Sequence, residues 1–85
     1  MTFFIEYDKQ PQKFLRKADK IIVQRIVDKI EELLSDDSVP HDAKAIVGEH
    51  GVFRIRIGDY RVLYRINHQS NKVIIIKIDK RERVY

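Results

Sequence analysis

The sequence predicts an α+β fold, in which an N-terminal strand and a helical hairpin precede a three-stranded antiparallel meander. Two patterns support this prediction: apolar residues recur every three or four positions in the first half of the chain and every second position in much of the second half. The 85 residues suffice for one compact domain, residues 1–85, and are too few for two. We expect both helices to pack on one face of the sheet.

The first half of the chain contains the signals for one strand and two helices. The aromatic and β-branched run from Phe3 to Tyr7 indicates a strand, and Asp8 can cap a helix that tolerates Pro11 in its first turn. A second helix is predicted to begin after Asp19 and to end near Asp36 and Asp37. The first helix carries Phe14, Leu15 and Ala18, and the apolar stripe of the second consists of Ile22, Ile26, Ile30, Leu33 and Leu34.

The second half of the chain contains the strand signals. After a predicted loop over residues 35–42, residues 52–57 and 60–66 alternate apolar and polar or basic side chains on either side of Gly58-Asp59. This dipeptide predicts a type II′ hairpin turn, which requires a positive φ at its first central position. A looser turn over residues 67–71 leads to a last strand, residues 72–78. Alternation directs Phe53, Ile55, Ile57, Val62 and Tyr64 toward the helices.

The two-residue turn determines which side chains face each other across the hairpin. Counting outward from the turn, Arg56 should lie opposite Arg61. Like charges in a direct cross-strand pair destabilise a sheet, so the pair makes best sense if an anion such as phosphate binds between them. Alternation puts Arg54 on the same face, and a five-residue second turn would place Lys77 opposite Arg61. The flanking pairs in this register are Ile57 with Tyr60 and Ile55 with Val62.

Positive charge is concentrated in the second half of the chain. Residues 1–43 contain seven Lys and Arg against nine Asp and Glu, a net charge of −2, whereas residues 44–85 contain ten against four, a net charge of +6. Clustered positive charge supplies the sequence-independent part of nucleic-acid affinity. The second half therefore favours a polyanionic partner, with a well-solvated surface as the plain alternative.

Composition argues against several classes of protein. The chain has no cysteine, so it can form neither disulfides nor thiolate metal sites, and we expect it in the cytoplasm. The longest apolar run, residues 73–76, is far shorter than the roughly 20 residues of a membrane helix. His41, His50 and His68 lie in separate polar stretches without a second ligand at metal spacing. We therefore expect no membrane partner, no metal and no small-molecule cofactor.

The basic hairpin also resembles a known family. Residues 53–66, FRIRIGDYRVLYRI, followed by a hydrophobic strand and an Arg-x-x-Val-Tyr ending, are similar to the RelE/ParE superfamily of toxins from toxin–antitoxin pairs. The resemblance covers nearly the whole chain and implies a RelE-like fold. It further implies an mRNA interferase: a metal-independent endoribonuclease that requires the ribosome, cuts messenger RNA in the decoding site and is neutralised by a cognate RelB-like antitoxin.

The resemblance implies a role for each residue of the site. In the implied reaction, the 2′-hydroxyl of the messenger attacks the adjacent phosphate, and Arg61 stabilises the charge that develops there. Arg81, or Arg83 in its place, would stabilise or protonate the leaving oxygen, while Arg56 would hold the backbone or help to activate the 2′-hydroxyl. Tyr85 would orient the substrate base or act as a general base. The remaining RNA contacts are assigned to Arg54, Arg65, Lys77, Lys80 and Arg83.

Two other functions fit the same fold. A ParE-like chain would poison DNA gyrase, and its arginine cluster would be incidental. A catalytically silent nucleic-acid-binding domain would bind RNA in a salt-dependent way without toxicity on expression. Inhibition of supercoiling would identify the first alternative, and binding without cleavage would identify the second.

Overall fold

The computed structural model describes residues 3–34, 44–45 and 51–80. The elements follow the predicted order of strand, two helices and meander, so the α+β prediction is confirmed. The predicted loop over residues 35–42 lies outside the described residues. The elements are β1 (Phe4–Tyr7), α1 (Lys9–Lys17), α2 (Lys20–Leu34), β2 (Lys44–Ala45), β3 (Val52–Ile57), β4 (Tyr60–Asn67) and β5 (Lys72–Lys80).

Both helices begin at aspartates that accept a hydrogen bond from the first turn. The Asp8 carboxylate accepts from the Lys9 N–H at 2.9 Å, and the Asp19 carboxylate accepts from the Ile21 N–H at 3.0 Å. The helix α1 ends at Lys17, because Ala18 is already extended with a ψ of 159°. Ala18 is therefore a cap rather than an interior residue of the predicted helix. Within the described part of the chain, neither helix is long and apolar enough to cross a membrane.

The sheet contains the predicted meander and two further strands. The spatial order is β1-β5-β4-β3-β2, so β3, β4 and β5 form consecutive antiparallel neighbours as predicted. The sequence did not predict that β1 pairs parallel with β5, or that the short strand β2 pairs antiparallel with β3. A parallel pairing needs a long crossover connection, and here the chain between β1 and β5 runs through both helices and then through β2, β3 and β4.

The predicted helix-facing side chains form the core. Ile55, Ile57, Val62 and Tyr64 are buried, and the half-buried Phe53 stacks on Tyr64 with ring centroids 5.7 Å apart. No polar or charged residue is buried among the described residues. The core is completed by Phe3, Ile26, Ile30, Leu34, Val73, Ile75 and Ile78, with Ile22 and Leu33 packed at its edge.

A glutamine extends the hydrogen bonding of β5 beyond the end of β1. The chain leaves the sheet at Asp8, whose N–H donates to the Ile75 carbonyl at 2.9 Å. Further along β5, the Gln10 side-chain amide donates to the Ile78 carbonyl and accepts from the Ile78 N–H, both at 2.9 Å. The Gln10 amide thus replaces a neighbouring peptide group and holds the C-terminal end of β5 in place.

Candidate functional site

The β3–β4 hairpin presents its arginines on the sheet face opposite the helices. Arg56 lies directly opposite Arg61, as the two-residue turn predicted. The turn adopts the required geometry because Gly58 has a φ of +59°. Arg54 is two residues along β3 on the same face, opposite Leu63. The flanking pairs are also those predicted, Ile57 with Tyr60 and Ile55 with Val62.

We call this surface the basic face and define it by its cationic side chains on β3, β4 and β5. Arg56 and Arg65 are exposed, Arg54 is half-buried, and the Arg61 side chain is 38% exposed. Arg65 lies one row away from Arg54, in register with Val52 and Ile74. The cations of the basic face are Arg54, Arg56, Arg61, Arg65, Lys72 and Lys77, of which Lys72 lies at the edge next to β1.

The predicted pairing of Lys77 with Arg61 is wrong. Lys77 lies opposite Leu63, and Asp79 lies opposite Arg61. Two one-residue shifts cause the difference. The second turn pairs Asn67 with Lys72 and so leaves four residues rather than five between the strands, and a β-bulge between Leu63 and Tyr64 adds one residue to β5. Lys77 still joins the basic face, but one row from Arg61.

The Asp79 carboxylate is shared by two cations of the basic face. Its Oδ2 lies 3.9 Å from an Arg61 guanidinium nitrogen and 3.6 Å from Lys77 Nζ. Both distances exceed that of a hydrogen bond, and all three side chains are at least one-third exposed. Ion pairs of this kind contribute about 0–1 kcal/mol each. Arg61 therefore keeps most of its capacity to bind an external anion.

Lys80 lies away from the basic face. It pairs with Tyr60 at the end of the meander, on the side of the sheet that the helices cover. There it borders a groove of about 340 Å³ between the end of α1, the start of α2 and the sheet. The groove combines apolar walls, which include Phe14, Ile22 and Tyr60, with lysines at positions 13, 17 and 80. The RNA contact assigned to Lys80 would thus be separate from the arginine row, by which we mean the paired Arg56 and Arg61.

Three predicted site residues follow the end of β5. Arg81, Arg83 and Tyr85 lie outside the described residues, so their roles stay predictions. The structure brings together Arg54, Arg56, Arg61, Arg65 and Lys77.

Sequence reasoning missed two residues that shape this region. Asp79 entered the sequence analysis only as one of the acids of the second half, because its place beside Arg61 depends on the bulge. Gln10 carried no signal, since a glutamine in the first turn of a helix has many surface roles. The only cue for Asp79 was its position two residues after Lys77 in a strand, which puts both side chains on one face.

One tyrosine in the described residues has a strongly altered acidity. Burial, together with the negative charge of Glu31, raises the pKa of the Tyr7 hydroxyl to about 12. The hydroxyl oxygen has no hydrogen-bond partner within the described part of the chain. Tyr7 faces the helix side of β1 and is remote from the arginine row. In the same residues, no three His, Asp or Glu side chains are grouped to hold a metal ion.

The chain is similar to toxins along almost its whole length. The sequence model of a family described as the ParE toxin of the type II toxin–antitoxin system parDE matches residues 5–85. The toxin RelE1 of Methanocaldococcus jannaschii is 32% identical, over 100% of this chain and 97% of the relative. The mRNA interferase toxin RelE of Escherichia coli is 25% identical, over 98% of this chain and 87% of the relative.

The fold is also that of a solved structure. The crystal structure of the archaeal RelE–RelB complex from Pyrococcus horikoshii contains a chain that superimposes with a TM-score of 0.80 at 29% identity. The match covers 99% of this chain and 100% of that chain.

Proposed function

Because this chain belongs to the ParE toxin family of the RelE/ParE superfamily, we propose that it is a RelE-type toxin that cuts messenger RNA on the ribosome. A cognate RelB-like antitoxin neutralises it. Two observations support the proposal: relatives are named RelE and mRNA interferase, and the basic face carries the arginines that such a reaction needs. The toxin acts in the cytoplasm, where its ribosomal substrate is found.

The observation that carries the proposal is the direct pairing of Arg56 with Arg61. Two guanidinium groups on adjacent strands repel each other, so the fold bears a cost at this position. A phosphate between them removes the repulsion, because each planar guanidinium can donate two parallel hydrogen bonds to phosphate oxygens. The half-buried Arg54 lies diagonally next to Arg61 and adds a third donor group to the same patch.

In the proposed reaction, the 2′-hydroxyl oxygen of one nucleotide attacks its own 3′ phosphorus. The new bond joins O2′ to phosphorus while the bond from phosphorus to the 5′ oxygen of the next nucleotide breaks. The products are a 2′,3′-cyclic phosphate and a free 5′-hydroxyl, and the proton of the 2′-hydroxyl is balanced by the proton that the leaving oxygen takes up. Arg61 stabilises the negative charge that builds up on the non-bridging oxygens.

The roles of the other residues are assigned from their places in the sheet or, for residues 81–85, from the family resemblance. Arg54 and Arg56 hold the RNA backbone from β3, and Arg65 and Lys77 contact neighbouring phosphates from β4 and β5. Arg81 or Arg83 supplies the leaving-group contact, and Tyr85 orients the base. None of these groups is a strong general base, so the proposal requires the ribosome to align the 2′-hydroxyl with the leaving oxygen. Alignment of this kind can account for a large part of a rate enhancement.

The antitoxin follows from the same assignment. A basic face that binds messenger RNA also attracts an acidic protein segment, since both present clustered negative charge. Expression of the chain alone should arrest growth, whereas co-expression with its antitoxin should restore growth. A chain that is harmless on expression would fit the catalytically silent alternative.

The ParE-like alternative has one specific observation in its favour. The family description that matches residues 5–85 is that of ParE rather than RelE. A gyrase poison would inhibit supercoiling by purified gyrase and would leave RNA intact. The matched control is the Arg61→Ala variant, which should inhibit gyrase as well as the unmodified chain does if the arginine row is incidental.

The experiment that tests the proposal is primer-extension mapping of a translated messenger with and without ribosomes. We expect cuts only on ribosome-bound messenger. One end of each cut should carry a 2′,3′-cyclic phosphate, which a cyclic phosphatase removes, and the other a 5′-hydroxyl, which a kinase can label. Cleavage of free RNA at the same rate would remove the ribosome from the mechanism. Intact messenger under both conditions would contradict the endonuclease assignment.

A further inference from the structure

The basic face contains its own anion. Asp79 projects from β5 into the row formed by Arg56 and Arg61, and its Oδ2 lies between Arg61 and Lys77 at 3.9 and 3.6 Å. The other acid described on this face is Glu6, which is at the far edge in an ion pair of 3.0 Å with Lys72. Asp79 is thus the carboxylate that competes with an external anion for Arg61.

The β-bulge in β5 is what brings Asp79 into this row. If the register of Tyr64 with Ile75 continued without a bulge, Ile78 would lie opposite Arg61 and Asp79 would point toward the helices. The extra residue reverses both positions, so that Ile78 is fully buried and Asp79 faces outward. Bulges commonly re-aim a side chain next to a functional site, and here the re-aimed side chain is the carboxylate.

We propose that Asp79 is an internal counter-ion that occupies Arg61 in the free protein and is displaced from it by an RNA phosphate. The proposal rests on the function proposed above, because it concerns the same arginine row. From the sequence, an external anion is predicted to bind between Arg56 and Arg61. In the structure, the Asp79 carboxylate approaches Arg61 from β5, on the side away from Arg56. Its negative charge reduces the repulsion between Arg56 and Arg61 before RNA binds.

The geometry fits a contact that can be exchanged. The side chains of Arg61 and Asp79 are 38% and 33% exposed, and their charged atoms are too far apart for a direct hydrogen bond. Solvent screens such a pair strongly. A phosphate can instead approach to hydrogen-bond distance and accept two bonds from the guanidinium. Asp79 therefore lowers the affinity of the basic face for RNA without closing the site.

The test is RNA binding by the Asp79→Asn variant across a series of KCl concentrations. Fluorescence anisotropy with a short single-stranded RNA should show roughly two- to fivefold tighter binding at low salt, the range expected for loss of one exposed ion pair. The variant should also have a salt dependence steeper by up to about 0.7 in log K against log [KCl], because in the unmodified chain the Asp79 carboxylate that RNA displaces takes up a cation from solution, which offsets part of the counterion release.

Two control variants separate the inference from a general charge effect. Glu6→Gln removes the same charge from an ion pair on the same face, away from the arginine row, and should leave the salt slope unchanged. Asp79→Glu keeps the charge and should bind RNA as the unmodified chain does. The proposal would be overturned if Glu6→Gln steepened the salt dependence as much as Asp79→Asn does. It would also be overturned if Asp79→Glu, which keeps the charge, showed the same steepening.

The outcome for Asp79 can be read separately from the outcome for the proposed function. If the unmodified chain cuts ribosome-bound messenger but Asp79→Asn binds RNA with unchanged affinity and slope, the counter-ion role is wrong and the toxin activity stands. If the affinity and slope change as expected but no messenger is cut, the counter-ion role stands and the endonuclease proposal fails.

Discussion

The two faces of the β3–β4–β5 sheet are built from the same strands, but different forces hold their side chains. On the helix-facing side, Val62, Tyr64, Ile75 and Ile78 are fully buried. On the basic face, the described contacts around Arg61 are ion pairs longer than 3.5 Å between partly exposed groups. The buried face therefore holds the strands together, and the basic face takes its side-chain positions from strands that the core keeps in place.

Truncation of one inward and one outward side chain of β5 gives the largest expected difference in stability. Ile75→Ala removes a fully buried side chain and should lower the free energy of unfolding by about 2–5 kcal/mol. Lys77→Ala removes an exposed side chain and should change it by about 0.5 kcal/mol or less. Urea unfolding of the two variants measures both values. Equal losses would mean that the two faces do not differ as described.

Loss of the Gln10 contact should have an intermediate effect on the free energy of unfolding. The Gln10 side chain forms hydrogen bonds with the partly buried N–H and carbonyl groups of Ile78, which lie beyond the end of β1. Gln10→Leu should cost about 1–2 kcal/mol and should make the Ile78 amide exchange with solvent much faster. Gln24→Leu is the control, since Gln24 bonds only to an exposed Asp28 side chain among the described contacts. If the Ile78 amide in Gln10→Leu exchanged as slowly as in the unmodified chain, the hydrogen bonds between Gln10 and Ile78 would not form in solution.

The smallest expected effect concerns Tyr7 and depends on pH. The folded protein holds the Tyr7 proton more tightly than the unfolded chain does, since folding raises its pKa from 10.0 to about 12. Below pH 10 both states keep the proton, and between pH 10 and about 12 the unfolded chain loses it first, so stability falls as pH rises. Because Tyr7 is only half-buried, the loss should be about 1 kcal/mol.

Tyr7→Phe isolates this contribution. The variant should be as stable as the unmodified chain or slightly more stable at pH 8, because the removed hydroxyl has no hydrogen-bond partner within the described residues. At pH 11.5 the variant should have gained about 1 kcal/mol relative to the unmodified chain. Urea midpoints at the two pH values measure the change. A constant difference between the two proteins would mean that Tyr7 does not titrate in this way.

The parts of the fold that the sequence predicted correctly depend on local chemistry. The register of the first hairpin follows from Gly58, since a two-residue turn leaves no freedom in the pairing of Arg56 with Arg61. The starts of the helices follow from Asp8 and Asp19, whose carboxylates accept hydrogen bonds from the first turn. The apolar periods of the helices and strands then determine which side chains enter the core.

The parts that the sequence did not predict depend on contacts between distant residues. The sequence of the second turn is compatible with several turn lengths. In the structure, the Asn67 side chain accepts hydrogen bonds from the Gln69 and Ser70 N–H groups, and Asn71 adopts a φ of +53°. The bulge in β5 places Ile78 in the core, and no residue pattern near it in the sequence predicts a bulge there. The parallel pairing of β1 with β5 and the position of Asp79 beside Arg61 likewise depend on contacts between distant residues. Neither could be predicted from the sequence.

If the arginine row carries out the proposed cleavage, the loss of Arg61 should slow the reaction more than the loss of an arginine elsewhere. The measurement is the rate of cleavage of ribosome-bound messenger by the unmodified chain, by Arg61→Ala and by Arg25→Ala. Arg25 is the matched control, because it is an exposed arginine on α2, on the other side of the sheet. All three proteins should have similar urea midpoints.

We predict that Arg61→Ala lowers the cleavage rate by about 100-fold or more, the usual cost of removing one group that stabilises transition-state charge. Arg25→Ala should cleave at nearly the unmodified rate. Cleavage by Arg61→Ala at the rate of Arg25→Ala would contradict the account, because the basic face would then not be the site of the reaction.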